Sequence, residues 1–384
     1  MISIKYKKIY DEFIKKYEEI HVNPWHEISK DELNDIYKRL VNKMDIVDEY
    51  SFGYFMNFII KRLSGLTDAH TKYSRTITIP LNFRMFGNDI LVDYPNEIKG
   101  SKLISINNIP INQIINELDS IITYGTDGKK RYEIEKALFN KSILFGLPSL
   151  RNREELEYEF IDINRKNIKK RFKKEENYNN MFNFKEYEYG HPGEYKFIKN
   201  ALVYKHSSVQ DMFKEQIEES IKKLQTEDLS NIYTFIIDIR GNSGGNSLLN
   251  NWLMNFIKNN PDKELICLTD YRVFSSGSFA LMNLIDLGAT TIGEEIGTPI
   301  SSYGNSNWFN IDDHRFSVSK RYFNRLLNTQ ATTKEEFFNL PEEAKKTIIF
   351  RPDILVEQTK EDYINGVDTI LEYALNFIKE KKLN

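Results

Sequence analysis

From Lys5 to about Leu63 the apolar residues recur at helical spacing. Ile9, Phe13 and Tyr17 make one stripe, and Leu33, Ile36, Tyr37 and Leu40 make a second. Asn23-Pro24 separates the two, and Ser29 followed by Glu32 has the spacing of a capping box. A third helix is predicted from Tyr54 to Leu63, stopped at Gly65. Residues 1–75 therefore read as an N-terminal helical domain ending in the loop Leu66-Thr-Asp-Ala-His-Thr71.

Over residues 76–190 the pattern changes to short strands with one or two helices. Ile90-Leu-Val-Asp-Tyr94 and Lys102-Leu-Ile-Ser-Ile106 read as strands, followed by an Asn107–Pro110 turn and a helix through Ile114, Ile115 and Leu118. That order resembles part of a PDZ domain, so this region is expected to be mixed α+β and partly PDZ-like. Leu156, Tyr158 and Phe160 alternate with Glu157 and Glu159, the mark of a half-buried strand, and Asn164–Asn167 reads as its hairpin turn. The Lys/Glu run at 169–176 reads as a solvated strand face.

Residues 191–384 become α/β. Ala201–Tyr204 reads as a strand, and Met212, Phe213, Ile217, Ile221 and Leu224 as an amphipathic helix. Tyr233–Ile239 is an almost continuous apolar run, as in a strand buried on both faces. A helix with Leu248, Leu249, Trp252, Leu253 and Phe256 inward follows, then a strand at Glu264–Leu268, a helix at Phe279–Leu287 and a strand from Thr290 to Glu294. A helix through Val367, Ile370, Leu371, Ala374 and Ile378 closes the chain. Strands alternating with helices imply a layered sheet with right-handed crossovers.

Composition narrows the class. With 40% hydrophobic and 28% charged residues in 384, the chain has the balance of a folded protein of several domains rather than a disordered one. A net charge of −3 offers no excess of positive charge for nucleic acid. Cys267 is the lone cysteine, so no intrachain disulfide forms, and no Cys/His cluster has zinc spacing. No apolar run reaches the roughly 18 residues of a membrane span, and the basic start lacks the apolar stretch of a signal peptide. The expectation is a soluble, cytoplasmic protein without nucleic-acid or membrane partners; its oligomeric state is not encoded legibly.

Two segments of the α/β region can carry chemistry. Asp238-Ile-Arg-Gly-Asn-Ser-Gly-Gly-Asn246 lies after the buried strand and before a helix, where glycines let backbone N–H groups form an anion site. A phosphate loop would need Lys-Ser/Thr after the glycines, where Asn246-Ser247 stands. The glycine spacing also fails the dinucleotide fingerprint. An oxyanion hole and a structural turn both remain open. The second segment, Tyr271–Ala280, places Ser275, Ser276 and Ser278 at the next strand–helix junction. A serine there can be a nucleophile at the sheet edge or an ordinary helix cap.

Together the two segments resemble the tail-specific (C-terminal processing) and tricorn-core serine peptidases. Asp238–Gly245 matches that family's Asp-Leu-Arg-Gly-Asn-x-Gly-Gly signature, with Ile239 in place of Leu. Ile292–Gly297 and Pro352–Ile354 resemble its downstream motifs. The resemblance spans roughly residues 200–378 and implies a crotonase-like layered catalytic domain. It implies Ser275 as nucleophile, the backbone N–H groups of Gly245 and Ser276 as oxyanion donors, and Ser278 at a position that is acidic in the family. The lysine-using branch would put its base near Ile300, yet no lysine occurs between Lys263 and Lys320. The histidine-using branch has Asp-x-His, which Asp68-Ala-His70 matches. His70 is then the base, and neutral imidazole suits proton abstraction near pH 7. Tricorn-type enzymes have a serine before this histidine, where Ala69 stands. Asp68, Glu294 and Asp353 are candidates for the acid orienting His70, and Asp68 has the alternative of a local turn hydrogen bond.

The implied function is hydrolysis of peptides or unstructured protein ends by a Ser–His mechanism, without metal or organic cofactor. A rival reading is an inactive peptidase fold that binds peptide ends or apolar carboxylates. Acyl-thioester chemistry on a crotonase-like fold rests on architecture alone.

Overall fold

The first apolar stripe forms the helix Ile4–Ile20, and the second forms Lys30–Lys43 in a computed structural model that describes residues 1–178 and 191–381. Ser29 and Glu32 close the expected capping box. The third helix runs Glu49–Ser64, starting earlier than its apolar pattern because Asp48 caps it; Gly65, at φ 53°, stops it. Phe13, Phe52, Phe55 and Leu63 are fully buried in the core of these helices.

The chain divides into two units. One comprises the described part of Met1–Phe182 with Ser301–Asn324 and Thr329–Lys346; the other holds the described part of Asn183–Ile300 with Arg325–Asn328 and Thr347–Asn384. This differs from three consecutive domains at 1–75, 76–190 and 191–384. The physical reason is a long antiparallel hairpin, Ser301–Ile311 with His314–Asn324, which pairs through Lys72↔Ser317 with the strand Lys72–Ser74. Its Phe316 and Val318 join the helical core. The expected junction near residue 190 lies outside the described residues.

The first unit also contains a mixed region. Strands Asn82–Phe86, Asp89–Tyr94, Lys102–Ile106, Glu155–Ile161 and Asn167–Lys173 are neighbours in that order. The alternating strand buries Leu156, Tyr158 and Phe160 as its pattern requires. Its turn starts at Asp162, whose Oδ1 accepts the N–H groups of Asn164 and Lys166.

The second unit is built on a six-stranded sheet. Its order is Ile354–Leu355, Thr290–Gly293, Glu264–Thr269, Thr234–Asp238, Ala201–Lys205 and Tyr195–Ile198. All neighbours are parallel except the last pair. The mixed α/β reading therefore holds. Thr234–Asp238 is buried at every position, as expected of a central parallel strand. Three helical faces differ from expectation. Met212 lies in a short 3₁₀ turn, Asp211–Phe213, before the helix Lys214–Leu224 and is 60% exposed. Leu248 lies in a short 3₁₀ turn before the helix Asn250–Lys258 and is 69% exposed. Val367 precedes the closing helix Thr369–Lys381 and is also exposed. Among the described residues no helix is long and apolar enough to cross a membrane.

Candidate active site

Parallel pairing explains how the glycine loop and the serine turn meet in the second unit. Asp238 and Leu268 are register partners near the carboxyl ends of adjacent strands, so the two following loops leave the sheet at the same edge. Asn242 joins them. Its carbonyl accepts the Phe274 N–H at 2.9 Å, its Oδ1 accepts the Gly244 N–H at 3.0 Å, and its Nδ2 donates to the His206 carbonyl at 2.7 Å. With its side chain fully buried, Asn242 gives the glycine loop one conformation.

The glycines are required by close approach. A Cβ on Gly244 would lie 2.8 Å from both Ser275 Cβ and Ser276 N, and one on Gly245 would lie 2.4 Å from the Val209 carbonyl oxygen. Both also hold positive φ, at 98° and 132°. Val209 pairs with Gly245 as an isolated parallel bridge whose bond runs from the Asn246 N–H to the Val209 carbonyl at 2.7 Å. That register leaves the Gly245 N–H out of the ladder. Gln210 Nε2 donates to the Gly244 carbonyl from the same neighbouring loop.

Ser275 holds φ 53° and ψ −120°, a conformation that a residue with a Cβ adopts at a cost. It is the residue before the helix Ser276–Asp286, yet its side chain makes no capping hydrogen bond. The capping alternative therefore does not account for this serine. Its two neighbours do form internal bonds. Ser276 Oγ donates to the Gly245 carbonyl at 2.6 Å, and Ser278 Oγ donates to the Ser275 carbonyl at 2.5 Å. The Ser276 N–H opens a helix, where the first N–H groups have no intrahelical acceptor.

Behind this turn lies His206, fully buried. Its Nε2 sits 2.8 Å from Asn250 Oδ1, an acceptor, so Nε2 carries the proton. Burial lowers its pKa, with Asn250 opposing, and the ring packs as a neutral group. Asn250 Nδ2 reaches the Ser276 carbonyl at 3.4 Å. His206 is thus structural support, in keeping with its lack of motif context.

The remaining acids of the second unit have distinct settings. Asp353 Oδ2 accepts the N–H and the hydroxyl of Thr291, and the Asp353 N–H donates to Thr291 Oγ1, which ties the short last strand to the sheet. Glu294 is buried, and its main-chain carbonyl accepts Thr269 Oγ1 at 2.8 Å.

In the first unit, His70 sits in the loop between the third helix and Lys72–Ser74. Asp68, completely buried, organises that loop. Its Oδ1 accepts the N–H groups of His70 and Thr71 at 3.1 and 3.0 Å and the Ser319 hydroxyl at 2.5 Å. Its Oδ2 accepts the Thr71 hydroxyl at 2.5 Å and lies 3.2 Å from His21 Nε2. Burial alone would raise this carboxyl, but His21 and the hydroxyls of Ser319 and Thr71 hold it well below the usual carboxylate range. Asp68 makes the local turn hydrogen bond, gripping the His70 backbone.

Two further features fix His70. Its carbonyl accepts the Ser317 and Ser306 hydroxyls at 2.6 and 3.3 Å. Its ring packs on Gly304, where an added Cβ would stand 3.3 Å from Cε1. Sequence reading missed His21, Gly304, Ser317 and Ser319 because all act across long separations in the chain. Residue 69 is a buried alanine, which carries no side-chain hydroxyl to precede the histidine.

The second unit thus has a mostly parallel sheet with a strained serine and a glycine loop at the carboxyl edge of its parallel strands. Among solved structures, mature CPAF complexed with lactacystin matches at TM-score 0.62 and 11% identity, covering 99% of this chain and 98% of that one. Mature CPAF alone matches at TM-score 0.61 and 10% identity over 94% of each chain. A looser match is the photosystem II D1 C-terminal processing protease, at TM-score 0.45 and 10% identity over 92% of this chain and 94% of that one. The CPAF likeness establishes a shared fold. No family model and no curated relative matches.

Proposed function

We propose that this protein is a serine peptidase acting on peptides or unstructured protein ends. Ser275 is the nucleophile and His70 its general base; the N–H groups of Gly245 and Ser276 receive the oxyanion. The observation that carries this reading is Ser275 itself, a non-glycine residue at φ 53° on a strand-to-helix turn with Gly244 pressed against it. Strain of this kind costs on the order of 1–3 kcal/mol and persists where surrounding structure enforces it. A helix cap has no need of it.

In the proposed reaction, the imidazole takes the Ser275 proton as Oγ attacks the scissile carbonyl. The tetrahedral intermediate collapses as the protonated imidazole gives its proton to the leaving amine. Water, deprotonated by the same ring, then releases the acyl group as a carboxylic acid and restores the serine. The acid orienting the imidazole is drawn from Asp68, Glu294 and Asp353. Asp68 supports the base in any case, through the His70 backbone. The crotonase-like description of the second unit and the partly PDZ-like one of the mixed region belong to this proposal too.

The test is hydrolysis of an unfolded protein by the purified chain, followed by mass spectrometry of new termini. Cleavage by the wild type that Ser275→Ala and His70→Ala reduce by about 10⁴-fold supports the assignment. Undiminished cleavage by Ser275→Ala refutes it. The rival, a binding module, is favoured by Ser278 at the family's acidic position and by Ala69 before the histidine. It requires peptide binding by a wild type that never cleaves.

A further inference from the structure

Ser278 has no place in the mechanism above, and as a family departure it argues against activity. Its bonding gives it a different meaning. The Ser278 side chain is fully buried, and Oγ donates to the Ser275 carbonyl at 2.5 Å. The Ser278 N–H donates to the same oxygen at 3.0 Å. Both lone pairs of that carbonyl are therefore engaged.

That carbonyl belongs to the peptide group whose other end is the Ser276 N–H. We propose that Ser278 is a positioning residue for oxyanion stabilisation, setting the plane and the polarity of the Ser275–Ser276 peptide through its carbonyl. This inference rests on the serine-peptidase reading and deepens it.

Two physical effects act together. Donors at a peptide oxygen draw electron density through the amide and make its N–H a stronger donor, a cooperative gain of about 10–30% per bond. The hydroxyl also resists rotation of a peptide flanked by the strained Ser275 dihedrals. A donor aimed beforehand stabilises developing charge without reorganising when it forms. A second bond, from Ser276 Oγ to Gly245, holds the neighbouring residue while leaving this N–H available to substrate. An acidic side chain at position 278 would serve this peptide only when protonated, because a carboxylate cannot donate. Serine does so at every pH in the working range.

The experiment compares wild type, Ser278→Ala and Ser278→Cys, the last keeping volume while offering a weaker donor. Two ligands are used: a peptidyl trifluoromethyl ketone, which forms an oxyanion on attack, and the matching peptide alcohol, which does not. In Ser278→Ala, kcat is expected to fall about 10- to 100-fold, below the 10²–10³ of deleting an oxyanion donor outright. The ketone should weaken in proportion while KM, alcohol affinity and the pH profile stay within about twofold. Ser278→Cys should fall between. Unchanged kcat and ketone affinity in folded Ser278→Ala overturns the inference while leaving the peptidase reading intact. So does a loss shared equally by ketone and alcohol. If Ser278→Ala fails to fold, Ser278→Cys with wild-type kcat and ketone affinity overturns it. A wild type that neither cleaves peptide nor binds the ketone overturns both.

Discussion

Ser276 Oγ donates to the Gly245 carbonyl oxygen at 2.6 Å, tying the residue after the strained serine to the last glycine of the neighbouring loop. The two N–H groups proposed to hold the oxyanion thus belong to residues joined by one short bond. Their spacing is a property of folded structure, present before substrate arrives. A buried hydrogen bond of this kind contributes about 0.5–1.5 kcal/mol net. Ser276→Ala keeps both N–H groups and loses the clamp. Its kcat should drop about tenfold with KM nearly constant, measured by steady-state kinetics on a peptide substrate.

Ser275 is costly to stability where it stands. Glycine reaches φ 53° without the Cβ clash, so Ser275→Gly should raise Tm, with a gain of about 1 kcal/mol. Hydrolysis should disappear in the same variant. Denaturant unfolding and an activity assay together check this opposition. A Ser275→Gly chain less stable than wild type would mean that the turn is unstrained.

Gly304 is predicted to set the imidazole position. An alanine there would put its methyl 3.3 Å from His70 Cε1 and 3.4 Å from Nδ1, so the ring must give by a few tenths of an ångström. Displacement on that scale should lower kcat about 3- to 30-fold, given that 1 Å of misplacement can cost a factor of about 100. The strand itself tolerates a methyl, so thermal stability should hardly change. The Tm and kcat of Gly304→Ala test this directly.

Acid sensitivity should begin near the first helices. Burial, reinforced by neighbouring His21, lowers the His26 pKa to about 4 against Asp68 and the carbonyls of Asn23 and Ser64. Because the folded value lies below the unfolded value of about 6.5, the unfolded chain binds the extra proton. The resulting stability is complete above pH 6.5 and is lost as pH falls toward about 4. The loss attributable to His26 is on the order of 3 kcal/mol. His26→Gln should flatten the slope of unfolding free energy against pH in that window by nearly one proton. Asp68 adds loss of the same sign at lower pH, since its folded carboxyl also titrates below its unfolded value.

Much of the site region was legible because its signals are local. The buried run Thr234–Asp238, the glycines after it and the serines after the next strand are contiguous words in the sequence, and parallel pairing brings them to one edge. The Ser29 capping box was readable for the same reason. The hairpin Ser301–Asn324 was not. Its buried positions include Ser301, Ser302, Ser317 and Ser319, hydroxyl residues where alternation of Val or Ile would announce a strand. Ser301, Ser317 and Ser319 are hydrogen-bonded instead, the last two to the His70 loop. Asp68 shows the same limit. Its motif placed it beside a histidine, but its partner His21 sits on the far side of two helices in sequence. Leu248 was placed inward because a helical period was continued through a 3₁₀ turn.

The most direct test is covalent labelling of the native chain with a fluorophosphonate, followed by peptide mapping. One label per chain is expected on Ser275, abolished in Ser275→Ala and slowed at least 100-fold in His70→Ala. No label, or equal labelling of wild type and His70→Ala, would contradict the assignment of Ser275 and His70.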